Sequence, residues 1–340
     1  MRTWLKNNIT QLLIWTCTVI VVAGGLVVAG AYVFVQQHAA RQIDQKLNVI
    51  ADTNTGALLR YMEVYGDVLY TMRGLFAAAD VDTESWYSFV RSQSVPDRFM
   101  GMKSVAYAEM VPQQNTVAFT QSLQQMYGSD VTIYPAKDTG DYVVLTYHED
   151  LAMTAESHRE TLGFDLASEA VRSRALQQAV ASGEMVATEV LPLVSTGSQG
   201  FLLLLPLTER YGQPSGGEVF GYAVVAIDIG EFVDKALRSQ LDRNEVSLTI
   251  TDQSGGQPQV LYADAMPDQR TETREVTVQV ADRTWQVAYT VPVSSLLTAA
   301  ERFAAAGILV LGMISVFLVS MFAYVLRLRY RLRCVVTQKE

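Results

Sequence analysis

Two long apolar runs, Leu12 to Val35 and Ala304 to Leu326, bracket almost the whole of this 340-residue chain, and nothing comparable lies between them. Each is long enough to cross a hydrocarbon core, which takes roughly 20 helical residues. Arg2 and Lys6 precede the first run, while Arg327, Arg329, Arg331 and Arg333 crowd the exit of the second. Lys and Arg are retained on the cytoplasmic side. The charge pattern therefore predicts a two-pass protein with residues 1–11 and 327–340 inside and 36–303 outside. A cleaved signal peptide is the alternative for the first run. Its apolar stretch is about twice the roughly 7–15 residues of such a peptide, and His38-Ala39-Ala40 is a poor cleavage site. An uncleaved anchor is the expected reading.

Between the runs, 19 Lys and Arg face 34 Asp and Glu, a net charge of −15 over residues 36–303. A basic stripe for nucleic acid is absent, and an anionic membrane surface would repel the domain. Cys17 lies in the first run and Cys334 in the tail. The outer domain therefore has no disulfide, no Cys-type zinc site and no thiol nucleophile. Its stability must come from burial.

After the first run the chain stays helical, with no Pro in positions 36–76. Ile43, Leu47, Ile50, Asn54, Ala57, Tyr61, Val64, Val68, Thr71 and Leu75 follow steps of four and three, a heptad seam. This helix either packs along its own domain or pairs with a second copy, with Asn54 setting register. A mixed stretch follows. Helices are expected at 84–93, 113–127 and 167–182, the last closed by Gly183. Strands are expected at 104–111, 131–134, 142–147, 185–190, 201–207 and 219–228. Phe201-Leu202-Leu203-Leu204-Leu205 is continuously apolar, which marks a central strand covered on both faces. A connecting helix at 229–241 leads to a smaller unit with strands at 246–252, 260–263, 275–281 and 284–291. Pro292 ends it, and a helix from Ser294 is expected to run into the second span.

Four stretches carry a family resemblance. They are Gly66-Asp67-Val68-Leu69 through Arg73-Gly74-Leu75-Phe76, then Ser85-Trp86-Tyr87-Ser88-Phe89-Val90, then Gly163-Phe164-Asp165-Leu166-Ala167-Ser168-Glu169 with Arg174-Ala175-Leu176, Ala179 and Gly183, and finally Leu204-Leu205-Pro206-Leu207 with Gly221-Tyr222. Over roughly residues 65–235 this order resembles the CHASE family of extracytoplasmic sensor domains, found in bacterial sensor kinases, cyclase-type signalling proteins and plant cytokinin receptors. The resemblance implies an α+β fold: a long stalk helix (36–76), a distal PAS-like ligand-sensing unit (77–232) and a membrane-proximal PAS-like unit (233–292), flanked by transmembrane helices at 12–35 and 304–326. It also implies a bacterial inner-membrane location, a small-molecule ligand, a homodimer in the lipid bilayer, and a downstream kinase or cyclase output. Only seven residues follow Arg333, so that output is expected outside this chain.

In the plant members an Asp on the signature helix recognises an adenine ring, and the matching position here is Arg172. A pocket Thr of that pattern becomes Leu204, while Thr188 matches. Arg172 is then either a solvated helix residue or a fork that holds a carboxylate or phosphate. The implied pocket wall combines Arg172, Thr188, Val194 and Leu204. Tyr107, Tyr147, Phe201 and Tyr222 either line the same cavity or fill the core.

Catalytic constellations are thin. His148-Glu149-Asp150 with His158 fits no standard zinc spacing and reads as a solvated loop. Thr196-Gly197-Ser198-Gln199-Gly200 lacks the Gly-x-Ser-x-Gly spacing of a nucleophile elbow and reads as a hairpin tip. No phosphate loop or dinucleotide fingerprint is present. No enzyme activity, cofactor or metal is expected. The alternative to a sensor is a membrane-anchored assembly module that binds a partner protein.

The topology is testable by thiol labelling in intact cells. A cysteine placed by Ser215→Cys should react with an impermeant maleimide from outside, and native Cys334 should react only after permeabilisation. Labelling of Cys334 in sealed cells would contradict it.

Overall fold

The computed structural model describes residues 2–93, 101–128, 130–151, 161–213, 217–237 and 246–336. His158 and Pro214-Ser215-Gly216, between the strands expected at 201–207 and 219–228, lie outside them. In chain order the elements are α1 (Arg2–Ala78), α2 (Thr83–Ser92), β1 (Met102–Val111), α3 (Thr116–Tyr127), β2 (Tyr142–Asp150), α4 (Ala170–Ser182), β3 (Val186–Ala187), β4 (Leu191–Pro192), β5 (Gln199–Leu207) and β6 (Gly221–Asp228). They continue with α5 (Ile229–Phe232), β7 (Ser247–Asp252), β8 (Gln259–Ala263), β9 (Thr271–Val280), β10 (Arg283–Pro292), α6 (Val293–Leu296) and α7 (Ala299–Val336). The fold class is α+β.

Two compact units divide the chain. One holds residues 1–48, 269–272 and 291–340. Its α1 and α7 segments carry the two stretches long and apolar enough to cross a membrane. Gly312 faces Val28, where an added Cβ would come within 2.5 Å of a valine methyl, so glycine permits the close approach of the helices. Between Leu296 and Ala299 the chain leaves the helical path. Thr298 N–H donates to Glu301 Oε2 at 2.8 Å and Glu301 N–H to Thr298 Oγ1 at 3.3 Å, a reciprocal cap that starts α7 afresh. The single helix expected from Ser294 is therefore two helices.

The other unit holds residues 49–268 and 273–290. Six strands form an antiparallel sheet in the order β2-β1-β6-β5-β3, with β4 also paired to β5. A second antiparallel sheet has the order β8-β7-β10-β9. These sheets are the cores of the two PAS-like units. Gly200 to Leu207 of β5 are all buried, as its unbroken apolar run requires. Side chains alternate across the sheet. Ala106, Leu202, Leu204, Tyr222, Val224 and Ala226 face α4. Tyr107 lies on the opposite face, 4.4 Å from Phe76 of α1 between ring centroids.

The expected helix seam is buried at Leu47, Asn54, Ala57 and Val68, while elsewhere the buried stripe lies one position later. Ala51, Leu58, Met62, Tyr65, Leu69, Met72 and Phe76 are buried, whereas Ile50, Tyr61, Val64 and Leu75 are half-buried and Thr71 is exposed. The cause is packing on the chain's own sheets: Thr55 hydrogen-bonds Tyr289 of β10 at 3.1 Å, and Tyr65 meets Phe232 edge-on. Asn54 is 2% exposed and donates to Ile50 O. A side chain covered by its own domain cannot set register with a second copy, so that expectation is corrected.

Two further elements depart from the sequence reading. The strand expected at 131–134 reduces to a single bridge between Tyr134 and Phe164, next to Pro135, which has no N–H for a ladder. The strand at 185–190 keeps only Val186–Ala187. The connecting helix expected at 229–241 is helical over its described part, as α5 followed by a wider π turn, Val233–Leu237, and positions 238–241 lie outside the described residues.

The two sheets meet at named contacts. Phe201 of β5 packs edge-on to Trp285 of β10 at 5.1 Å. Asp282, in the β9–β10 turn beside left-handed Ala281 (φ 52°), accepts from Ala187 N–H at 2.8 Å and from Gln178 Nε2 at 2.9 Å. Left-handed alanine costs about 1–2 kcal/mol, so the turn that delivers this carboxylate is maintained against strain.

Candidate ligand site

The segment before α4 is placed by glycine and a buried carboxylate. Gly163 has φ +85°, and a Cβ there would lie 2.1 Å from Thr132 O. Only glycine fits, and its N–H reaches Leu145 O at 2.9 Å while Leu145 N–H returns to Phe164 O. Asp165 is fully buried and accepts from Val143 N–H, Ala167 N–H and Lys137 Nζ. Its bond to Ala167 N–H caps a 3-10 turn, Leu166–Ser168, so α4 begins at Ala170 rather than at 167. Gly183, in the left-handed region, closes the helix as expected. The signature stretch thus fixes Phe164, Glu169 and the first turn of α4 against β2.

Arg172 on that first turn is 5% exposed, not solvated. Its Nη1 pairs with Glu169 Oε2 at 2.6 Å and its Nη2 donates to Pro192 O at 2.8 Å. The Phe164 ring lies 5.4 Å from the guanidinium carbon. Nε is buried and finds no hydrogen-bond partner among the described residues. Burial pulls the Arg172 pKa down while Glu169 pushes it up, and the guanidinium remains charged. Arginine stems pack readily against apolar surface, which lets a helix arginine face inward.

Beside Arg172 is a chamber of about 30 Å³ between α4 and the sheet. Ala106, Leu145, Leu166 and Leu202 form apolar walls, and Ser104, His148 and Thr161 add polar ones. Val194 and Ser195, in the turn between β4 and β5, form its rim. His148 and Thr161 flank positions 152–160, which lie outside the described residues.

The eight residues read from the sequence divide by sheet face. Arg172 and Val194 border the chamber. Leu204 and Tyr222 share that face but belong to the packed core, with Tyr222 OH donating to Leu176 O at 3.4 Å. Burial pushes the Tyr222 pKa up to about 12. Thr188 N–H donates to Leu202 O, and Thr188 Oγ1 accepts from Leu202 N–H, both at 2.9 Å. Tyr107, Tyr147 and Phe201 lie on the opposite face. Tyr147 stacks on Trp86 of α2, and Phe201 packs on Trp285. Strand alternation therefore removes these three from a wall shared with Arg172. Ser104, Thr161, Phe164 and Glu169 were not among the eight, and His148, read as part of a solvated loop, is instead buried in β2. Phe164 and Glu169 stood within the signature stretch, whereas the register that brings Ser104 to the chamber follows from the β1–β2 pairing.

A larger open groove of about 320 Å³ lies at the end of the sheet, lined by Met110, Arg210, Glu218 and Phe220 among others. Arg210 pairs there with Glu109 at 3.2 Å and stacks over Phe220. Burial pushes the Glu109 carboxyl up, and Arg210 pulls it partly back. Among the described residues, no three His, Cys, Asp or Glu converge as a metal site.

The domain is α+β, and the chain carries a stretch long and apolar enough to cross a membrane on either side of it. The CHASE domain family matches residues 79–262, more than half of the chain, and this chain belongs to that family. No curated protein matches. Among solved structures, the periplasmic sensory domain of the Campylobacter jejuni chemoreceptor Tlp1 is similar at a TM-score of 0.48 and 10% identity, over 76% of this chain and 99% of that one. The ligand-binding domain of the Pseudomonas aeruginosa amino acid chemoreceptor PctC, solved with GABA, gives 0.43 and 16% over 73% and 98%. That of the Pseudomonas fluorescens chemoreceptor CtaA, solved with L-leucine, gives 0.46 and 9% over 76% and 98%.

The bond between Thr188 and β5 yields a stability prediction. Thr188→Val leaves the buried Leu202 N–H unpaired and should cost about 1–3 kcal/mol in urea denaturation of the full chain in detergent. Thr188→Ser keeps the acceptor and should lose only about 0.8 kcal/mol for the missing methyl. Equal losses would show that the hydroxyl does not hold this edge.

Proposed function

We propose that this chain is the small-ligand input module of a membrane signalling protein, with the ligand bound in the chamber under α4. The observation that carries this reading is Arg172: a buried guanidinium at the chamber wall whose Nε finds no acceptor among the described residues. An unmet buried donor costs about 1–3 kcal/mol, and a ligand acceptor would remove that cost. Membership of a sensor-domain family supports the same reading. In it, residues 77–232 form the ligand-sensing unit and 233–292 a second unit nearer the membrane.

Ligand at the start of α4 would act on the joint between the sheets. Gln178 of α4 and Ala187 of β3 both bind Asp282, so a shift of α4 changes what the second sheet is held by. A ligand moves such an equilibrium only through different affinity for the two states, typically about 1–3 kcal/mol of coupling. We place the domain outside a bacterial inner membrane, both ends in the cytoplasm, two copies paired through the early part of α1, and a kinase or cyclase as the output. The chain itself acts as a non-catalytic receptor.

One observation favours the second reading, a protein-binding assembly module. The chamber is about 30 Å³ among the described residues, far below the roughly 300–1,000 Å³ of ordinary ligand pockets. Against it, the exposed apolar residues are spread along the chain, with Val117 on α3, Val180 on α4, Val260 on β8 and Met266 in the connection after β8.

A thermal-shift screen of small metabolites on the full chain in detergent separates the two, read alongside Ala226→Val, which fills the chamber. The sensor reading expects at least one compound to raise Tm by several degrees in the native chain and not in the variant. Absence of any stabilising compound, or stabilisation untouched by Ala226→Val, would favour the assembly module.

A further inference from the structure

We propose that the chamber is selective for a small monocarboxylate on a short aliphatic body and discriminates against the corresponding amino acid. This rests on the reading of the chamber as the ligand site. Guanidinium has five N–H donors. Glu169 and Pro192 O take one each from Nη1 and Nη2. Nε itself is buried and unpartnered among the described residues, and Nε–H with an N–H of the adjoining Nη is the paired-donor edge that fits a carboxylate.

The rest of the wall fixes the remainder of the ligand. No Asp or Glu is among the described residues that line the chamber. Glu169 stands outside that lining and is already paired with Arg172, so an ammonium group brought in beside the carboxylate would lose its water without an unpaired opposite charge to meet it, which is strongly unfavourable. Leu145, Leu166, Leu202 and Val224 offer aliphatic contact instead. Size limits the body as well. A water needs about 10–15 Å³ measured in this way, so roughly two water-sized groups fit. That volume matches a carboxylate head and little more. Two to four carbons in all would have to displace the Val194–Ser195 rim, whose Val194 is 41% exposed. Displacing that rim moves the turn leading into β5, which gives the bound and free states different structures.

Calorimetric titration of the full chain in detergent tests this with four probes of one size: propionate, propionamide, propylammonium and L-alanine. Propionate should bind at least tenfold more tightly than the other three. Arg172→Gln should weaken propionate by about ten- to a hundredfold, the loss of a charged hydrogen bond, and Arg172→Lys should weaken it less. Should the Arg172 variants fail to fold, the ranking of the four probes on the native chain decides alone. Propionamide or L-alanine binding as tightly as propionate would overturn the proposal, as would no propionate binding at millimolar concentration. A non-anionic compound that binds and is shut out by Ala226→Val would overturn the carboxylate inference and leave the sensor reading standing. Binding that ignores Ala226→Val would overturn the sensor reading itself.

Discussion

The apolar stripe of α1 from Ala51 to Phe76 is the contact on which both sheets depend. It buries Leu58, Met62, Tyr65, Leu69, Met72 and Phe76, and each such side chain contributes about 1.5–3 kcal/mol when removed from water. The same helix touches the six-stranded sheet through Phe76 and Tyr107 and the four-stranded sheet through Thr55 and Tyr289. No disulfide assists, because residues 36–303 contain no cysteine. A single rigid element therefore forms one wall of each core. Its near-complete burial on one side also explains why Asn54 is covered by the domain itself.

The two faces of the large sheet have different work. Toward α1 and α2 it is packed with rings, Tyr107 and Tyr147 on Phe76 and Trp86, and Phe201 on Trp285. Toward α4 it carries smaller aliphatic side chains such as Ala106, Val224 and Ala226. Small residues on that face leave the space that becomes the chamber. Gly163 and Asp165 hold the approach to α4 in a shape few sequences can adopt, and Arg172 is delivered inward as a result. Asp282 then ties α4 and β3 to a strained turn of the second sheet. One hydrogen bond from α4 and one from β3 thus meet on a single carboxylate of the second sheet.

Periodicity made most elements legible: the long helix, the unbroken apolar β5, the alternating β9 and β10, and Gly183 at the end of α4 all follow from local pattern. What periodicity leaves open is which residue of a heptad faces the domain. A shift of one position moved the buried stripe from Tyr61 and Leu75 to Met62 and Phe76. The site was harder for the same reason. Tyr107, Tyr147 and Phe201 are good cavity residues by type, yet strand register puts them on the face away from Arg172. Register arises from pairing between distant segments, and so did the proximity of Ser104 to α4. Arg172 itself was found through its place in the signature helix. Its burial depends on Phe164, Glu169 and Pro192 closing around it, which no local pattern encodes.

The most decisive measurement is an experimental structure of the chain with a stabilising small molecule bound. The molecule should lie under α4 with an acceptor against Arg172 Nε, and the Val194–Ser195 turn should be displaced from its present position. A molecule bound instead in the open groove beside Arg210 and Glu218, with the Arg172 environment unchanged, would contradict the assignment of the chamber as the sensing site.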